Sequence, residues 1–139
     1  KEDSVMGRIY LPQTIVGKLR ANQVNTPNKY VYKKIQSCQK TLLNLADEYY
    51  SSAEVAIPFL PGKTSLAIRV ASKLYQAIGK KILNKKISYL DSRVFITKFE
   101  KLKITIINIF STKKSYNRLT IHNKKLHSAI KDLPGANKN

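Results

Sequence analysis

The sequence predicts an all-α fold of antiparallel helices joined by short loops, and three observations carry that reading. Apolar residues recur at steps of three and four through three separate stretches, the spacing that gives an α-helix one apolar face. Prolines and glycines stand between the first two of these stretches, where a helix cannot continue. The connections are short and no internal repeat is visible, which favours neighbouring helices running in opposite directions.

Taken in order, Gly7-Arg8-Ile9-Tyr10-Leu11-Pro12 reads as an extended turn, because the residue before a proline avoids the α region. Residues 15–23 fit one short helix. The first long helix starts at Thr26-Pro27, a capping residue followed by a proline at the first helical position. Ile35, Cys38, Leu42, Leu45, Tyr49, Ala53 and Ala56 form its stripe, and Pro58 and Pro61-Gly62 end it. The second helix runs from Lys63 or Thr64 to Asn84 with Ala67, Val70, Ala71, Leu74, Ile78 and Ile82 on its face. Lys80, Lys81, Lys85 and Lys86 suit its C-terminal end, where the helix dipole favours cations. After a loop over 87–92, the third helix begins at Asp91 or Ser92, and Phe95, Phe99, Leu102, Ile106 and Ile109 supply its face. β-branched residues are dense towards its end, so a strand is the competing assignment there. Beyond Phe110 the chain turns polar and basic, with a weak helix expected over 119–130 and a frayed end after Pro134-Gly135.

A chain of 139 residues supports one domain with a core, and 42% hydrophobic residues exclude a disordered tail by composition. The formal charge of +18 suits a polyanionic partner: nucleic acid, anionic lipid or a diphosphate. Richness in Lys, Asn and Ile with little Gly and Pro is equally what an AT-rich genome produces. The single cysteine, Cys38, excludes an intramolecular disulfide and a thiol-rich metal site, and its place on an apolar stripe reads as a packed core thiol. No apolar run approaches the ~20 residues that span a bilayer. The chain opens on Lys1-Glu2-Asp3 with no methionine, from which part of a longer protein is expected. His122 and His127 lie in the basic tail without neighbouring acids or thiols, so no metal site is expected there.

Four landmarks in order go further. Glu2-Asp3 followed after three residues by Gly7-Arg8-Ile9-Tyr10-Leu11-Pro12 resembles the stretch of squalene/phytoene synthases in which Asp-x-x-Glu-Asp runs into Gly-Arg-x-Tyr-x-Pro. Ala46-Asp47-Glu48-Tyr49-Tyr50 with Ala53-Glu54 is similar to that family's helix with a Tyr-Tyr pair. Leu60-Pro61-Gly62 leading into Ala71-Ser72-Lys73-Leu74-Tyr75-Gln76-Ala77-Ile78-Gly79 is similar to its Leu-Pro loop and Ala-x-x-x-Tyr-x-x-Ile-Gly helix. Arg93-Val94-Phe95 with Lys98 and Lys101 resembles the start of its final helix. Each motif alone is weak, and together, over roughly residues 1–110, they are specific.

The resemblance, closest to phytoene synthases, implies the C-terminal half of an isoprenoid synthase-type helical bundle, with residues 1–112 catalytic and 113–139 a basic polar tail. It implies head-to-head condensation of two prenyl diphosphates, geranylgeranyl diphosphate to phytoene in carotenoid biosynthesis, or the dehydrosqualene or hydroxysqualene-forming variant. Leaving diphosphates need Mg²⁺ bridged to paired carboxylates. Asp3 and Glu2 match part of the second such motif, whose partner aspartate would lie before the chain begins. Standing alone, the two acids would read as a solvated terminus. Tyr75 matches a buried tyrosine facing the diphosphate and the reacting carbons, Arg93 an arginine on diphosphate, and Arg8 a residue pairing with the acids upstream. The plain alternatives are a core tyrosine and a surface arginine. Peripheral contact with a membrane is expected from the greasy product, in the cytoplasm or, in a plastid-bearing organism, the stroma. The rival reading, a basic helical nucleic-acid-binding protein, explains the charge alone, since the lysines are scattered and no binding signature is present.

Overall fold

The computed structural model describes residues 2–85, 87–90, 93–111 and 123–131. Among these there are helices and turns and no strand, so the all-α reading holds, including over the β-branched run 104–111. The chain divides into two compact units, Lys1–Leu45 with Ala77–Phe95, and Ala46–Gln76 with Ile96–Asn139. The two long helices, α4 (Lys29–Ala53) and α5 (Gly62–Lys85), each contribute to both.

The first unit opens on α1 (Glu2–Val5). Gly7 sits at φ 74°, a left-handed conformation that costs glycine little, and Arg8 N–H reaches back 2.8 Å to the carbonyl of Asp3. This six-to-one closure satisfies a carbonyl that the helix end would leave bare. The short helix expected over 15–23 is two helices, α2 (Gln13–Val16) and α3 (Ala21–Asn25). Gly17 divides them: its φ is 69° and its N–H closes α2 on the Gln13 carbonyl at 2.7 Å. The Thr26-Pro27 start is displaced as well. Thr26 turns its hydroxyl back to the Asn22 carbonyl at 2.9 Å and closes α3, while Asn28 Oδ1 accepts the Val31 N–H at 2.9 Å and starts α4.

The core of this unit is apolar. Val16, Val31, Ile35 and Cys38 are buried, the last three at steps of four and three along α4. Cys38 is fully enclosed, and burial pushes its thiol above the usual range. On α5, a Cβ built at Gly79 would stand 3.3 Å from Leu43 Cδ2, so the absent side chain is what lets the two helices come close. Tyr89 stacks on Tyr32 at 5.7 Å between ring centres; its hydroxyl is buried without an acceptor, and burial, then Tyr32, raise its pKa.

The second unit is different in kind. Among its described residues the buried ones are Ile57, Ile96 and Leu126 together with three polar ones, Ser52, Gln76 and Asn108. Each polar side chain is bonded, as burial demands. Ser52 Oγ accepts from Asn123 N–H at 3.0 Å and Asn108 Nδ2 donates to the Ile104 carbonyl at 2.7 Å. Gln76 bonds to Asp47 and Lys73. After α4 a 3-10 turn, Ile57–Phe59, uses Pro58 near its start, and α5 begins once Ser65 N–H finds the Pro61 carbonyl at 2.8 Å. A second 3-10 stretch, Lys124–Ile130, lies in the region where a weak helix was expected, and Tyr49 Oη donates to its Leu126 carbonyl at 2.9 Å.

α6 (Lys98–Ser111) departs most from expectation. Its start falls at Thr97, because Thr97 and Glu100 form a reciprocal box: Thr97 N–H to Glu100 Oε2 at 2.7 Å and Glu100 N–H to Thr97 Oγ1 at 3.2 Å. Asp91 and Ser92, the expected caps, lie outside the described residues. The apolar stripe of Phe95, Phe99, Leu102, Ile106 and Ile109 is exposed, and the inward side of α6 is Asn108 with half-buried Ile104 and Glu100. Among the described residues no helix is long and apolar enough to cross a membrane.

Two consequences can be measured. Ile35→Ala removes buried methylenes from the dry core and should lower unfolding free energy by about 2–5 kcal/mol, read by chemical denaturation. Cys38, the single thiol, should react with a soluble disulfide reagent only on the timescale of unfolding, and at once in denaturant.

Candidate functional site

The structure treats the five residues singled out by sequence in different ways. Glu2 and Asp3 are the first two residues of α1, and Asp3 is exposed. Arg8, also exposed, is tied to Asp3 through the backbone bond that Gly7 permits. The Gly-Arg landmark therefore has a local physical reason: a left-handed glycine folds the arginine back onto the helix that carries the acids. Arg93 is exposed and belongs to the same unit, in the non-helical run ahead of α6. Tyr75 belongs to the second unit, on α5, and is 64% exposed. The buried position that the resemblance implies for it is therefore not found here, and it is not an ordinary core tyrosine either.

What lies inside, one residue on, is Gln76, at 7% exposure. Its Nε2 donates to Asp47 Oδ1 at 3.1 Å and its Oε1 accepts from Lys73 Nζ at 3.2 Å. Lys73 is also ion-paired with Glu54. Asp47 comes from α4 and Glu54 from the turn just after it, Gln76 and Lys73 from α5, and rising numbers on the first side meet falling numbers on α5, so the helices run antiparallel in this unit. The network gives both ends of a buried amide a charged partner, where such bonds are worth more than neutral ones. The pair of Lys73 and Glu54 is about a third exposed, so its own contribution is modest.

Sequence reasoning did not assign these four a role. A signal was there: Asp47 and Glu54 stand seven residues apart at the end of α4 and just past it, and Lys73 and Gln76 are neighbours on one face of α5. Arg69 went unnoticed as well. Its Nη1 is buried with no hydrogen-bond partner, an unusual state for a group with five donors.

A magnesium centre needs about six oxygen ligands, several of them water, anchored on carboxylates. Among the described residues no group of three or more His, Cys, Asp or Glu could hold a metal ion. Asp47 and Glu54 are committed to Gln76 and Lys73. The described residues therefore do not make a metal site by themselves, and the two acids of α1 could form only part of one. His127 is exposed, and His122 lies outside the described residues.

If Gln76 joins the two helices through Asp47, the double-mutant cycle of Asp47→Ala and Gln76→Ala should return a coupling of about 0.5–1.5 kcal/mol in denaturation. A coupling indistinguishable from zero would show that the bond holds nothing.

The squalene/phytoene synthase family matches residues 1–100, a span containing Glu2, Asp3, Arg8, Tyr75 and Arg93. A 15-cis-phytoene synthase of Enterobacter agglomerans is 28% identical over 105 residues, 76% of this chain and 36% of that protein. A bifunctional lycopene cyclase/phytoene synthase of Blakeslea trispora is 24% identical over 119 residues, 84% of this chain and 19% of that protein. The chain thus spans about a third or less of the length of these curated relatives. No solved structure matches it. On the breadth of the match, most of the chain in one continuous span, this protein belongs to the squalene/phytoene synthase family.

Proposed function

We infer that this chain is part of a prenyltransferase that joins two allylic prenyl diphosphates head to head, with geranylgeranyl diphosphate to phytoene as its reaction and the dehydrosqualene type as the nearest alternative. One observation carries the reading: all five residues with an assigned chemistry fall inside the family match. Both curated relatives described above are phytoene-forming by name, which favours that product. Residues 1–112 would form the C-terminal part of the catalytic domain and 113–139 a basic tail.

The roles follow from chemistry. Joining the first pair of carbons expels one diphosphate and, with loss of a proton to it, leaves a cyclopropyl diphosphate. Ionising that intermediate expels the second diphosphate, and rearrangement with loss of a second proton to that diphosphate gives the product. Magnesium, when bound, neutralises the departing diphosphates. Glu2 and Asp3 would offer it carboxylates alongside acids from outside this chain. Arg8, folded onto α1, would balance their charge. Arg93 would hold a diphosphate through paired N–H donors, which match phosphate oxygens in a way a lysine does not. Tyr75 would donate from its phenol to a phosphate oxygen and present its ring to the allylic cation. The 64% exposure of its side chain supports a ring available to a substrate.

The proposal has a direct test. In the complete enzyme containing this chain, supplied with geranylgeranyl diphosphate and Mg²⁺, Arg93→Ala and Tyr75→Phe should each lower kcat/KM, by about 10- to 100-fold for the arginine. Residues 1–139 alone should give no phytoene, since the acids they hold do not complete a metal centre. Unchanged kinetics in both variants would remove the assigned roles, and turnover by the isolated chain would overturn its incompleteness.

A further inference from the structure

Within the second unit α5 is held by a polar side chain and not by an apolar stripe. Over residues 62–76 of α5, all of them described, the one buried side chain is that of Gln76. The expected apolar positions lie farther out: Ala67 and Ala71 are exposed, Val70 and Leu74 half-buried. Gln76 is bonded at both ends, its Nε2 donating to Asp47 Oδ1 at 3.1 Å and its Oε1 accepting from Lys73 Nζ at 3.2 Å. Both partners carry charge, which makes each bond stronger than a neutral one. Lys73 is itself tied to Glu54 by an ion pair. Tyr75 is the residue before, with its side chain 64% exposed.

We propose that Gln76 is a positioning residue for Tyr75: its amide fixes how far α5 is turned about its axis, and so where the Tyr75 ring and hydroxyl stand against a bound prenyl diphosphate. This rests on the role given to Tyr75 in the reaction proposed above. Geometry sets the scale of the effect. A tyrosine hydroxyl lies roughly 8 Å from the axis of its helix, so a turn of about 10° carries it about 1.4 Å. Misplacing a reacting group by about 1 Å can cost on the order of a hundredfold in rate. Half-buried aliphatic contacts change little over such a turn, whereas a hydrogen bond weakens as its angle closes. Asp47 gives the amide an acceptor on α4, so the turn of α5 is referred to the facing helix. Lys73 adds a second reference through Glu54, just past the end of α4.

The test uses the complete enzyme containing this chain, with geranylgeranyl diphosphate and Mg²⁺, and reads kcat and KM separately. Gln76→Glu replaces the amide donor with a second carboxylate facing Asp47. It should lower kcat about 10- to 100-fold while KM stays within about threefold of the parent. Adding Asp47→Asn gives the new carboxylate a donor and restores the bond in the reverse direction, so kcat should return to within about threefold of the parent. Gln76→Met, close in shape and unable to make either bond, serves where the first variant folds poorly. It should show the same loss, with no rescue by Asp47→Asn. In a Tyr75→Ala background either Gln76 variant should cost less than about threefold more, because the group it places is gone. Three results overturn the proposal: parental kcat in both Gln76 variants; a loss in Gln76→Glu that Asp47→Asn does not relieve; and an equal loss with Tyr75 already removed, which would mean a general effect on the fold. Parental kinetics in Tyr75→Ala alone would instead remove the role of Tyr75 in the reaction, and this inference with it, before any Gln76 variant is read.

Discussion

The second unit turns on Gln76. An amide inside a helical unit is costly unless both its ends are bonded, and Gln76 finds an acceptor in Asp47 and a donor in Lys73. Apolar contacts tolerate a helix rotating by a few tens of degrees; a bidentate amide between two charged groups does not. The facing of α5 in this unit is set by that amide. Tyr75 precedes Gln76 by one position, about 100° around the helix, and is exposed as a consequence. The availability of its ring and the burial of its neighbour are two aspects of one hydrogen-bonded arrangement.

The first unit reaches its stability by another route. Val16, Val31, Ile35 and Cys38 make a dry core, and Gly79 lets α5 approach Leu43 closely. Its polar contributions sit at helix ends, where Gly7, Gly17 and Asn28 each satisfy a backbone group that the helix leaves open. The same device shapes the candidate site, since the closure at Gly7 brings Arg8 back to Asp3. Across the described residues large apolar side chains are more often exposed than buried. A chain that shows so much apolar surface is made to be covered by something.

Much of this was legible in the sequence, because it depends on neighbours along the chain. The helical class, both long helices and the breaks at Pro58 and Pro61-Gly62 follow from periodicity and from backbone groups that proline lacks. Cys38 as a core thiol followed from its stripe, and the family from four motifs in order. Even the misplaced boundaries were local: Asn28 outcompeted Thr26, Gly17 divided a short helix, and Thr97-x-x-Glu100 was a capping signature passed over. What the tertiary structure alone decided was which side of each helix faces in. Periodicity marks an apolar side but carries no information about what lies opposite, so α6 could read as a core helix and yet turn Asn108 inward and Phe99 outward. For the same reason the bridge from Asp47 through Gln76 to Lys73 and Glu54 appears only once α4 and α5 are side by side, since a hydrogen bond between residues far apart in sequence leaves no mark on the order of either.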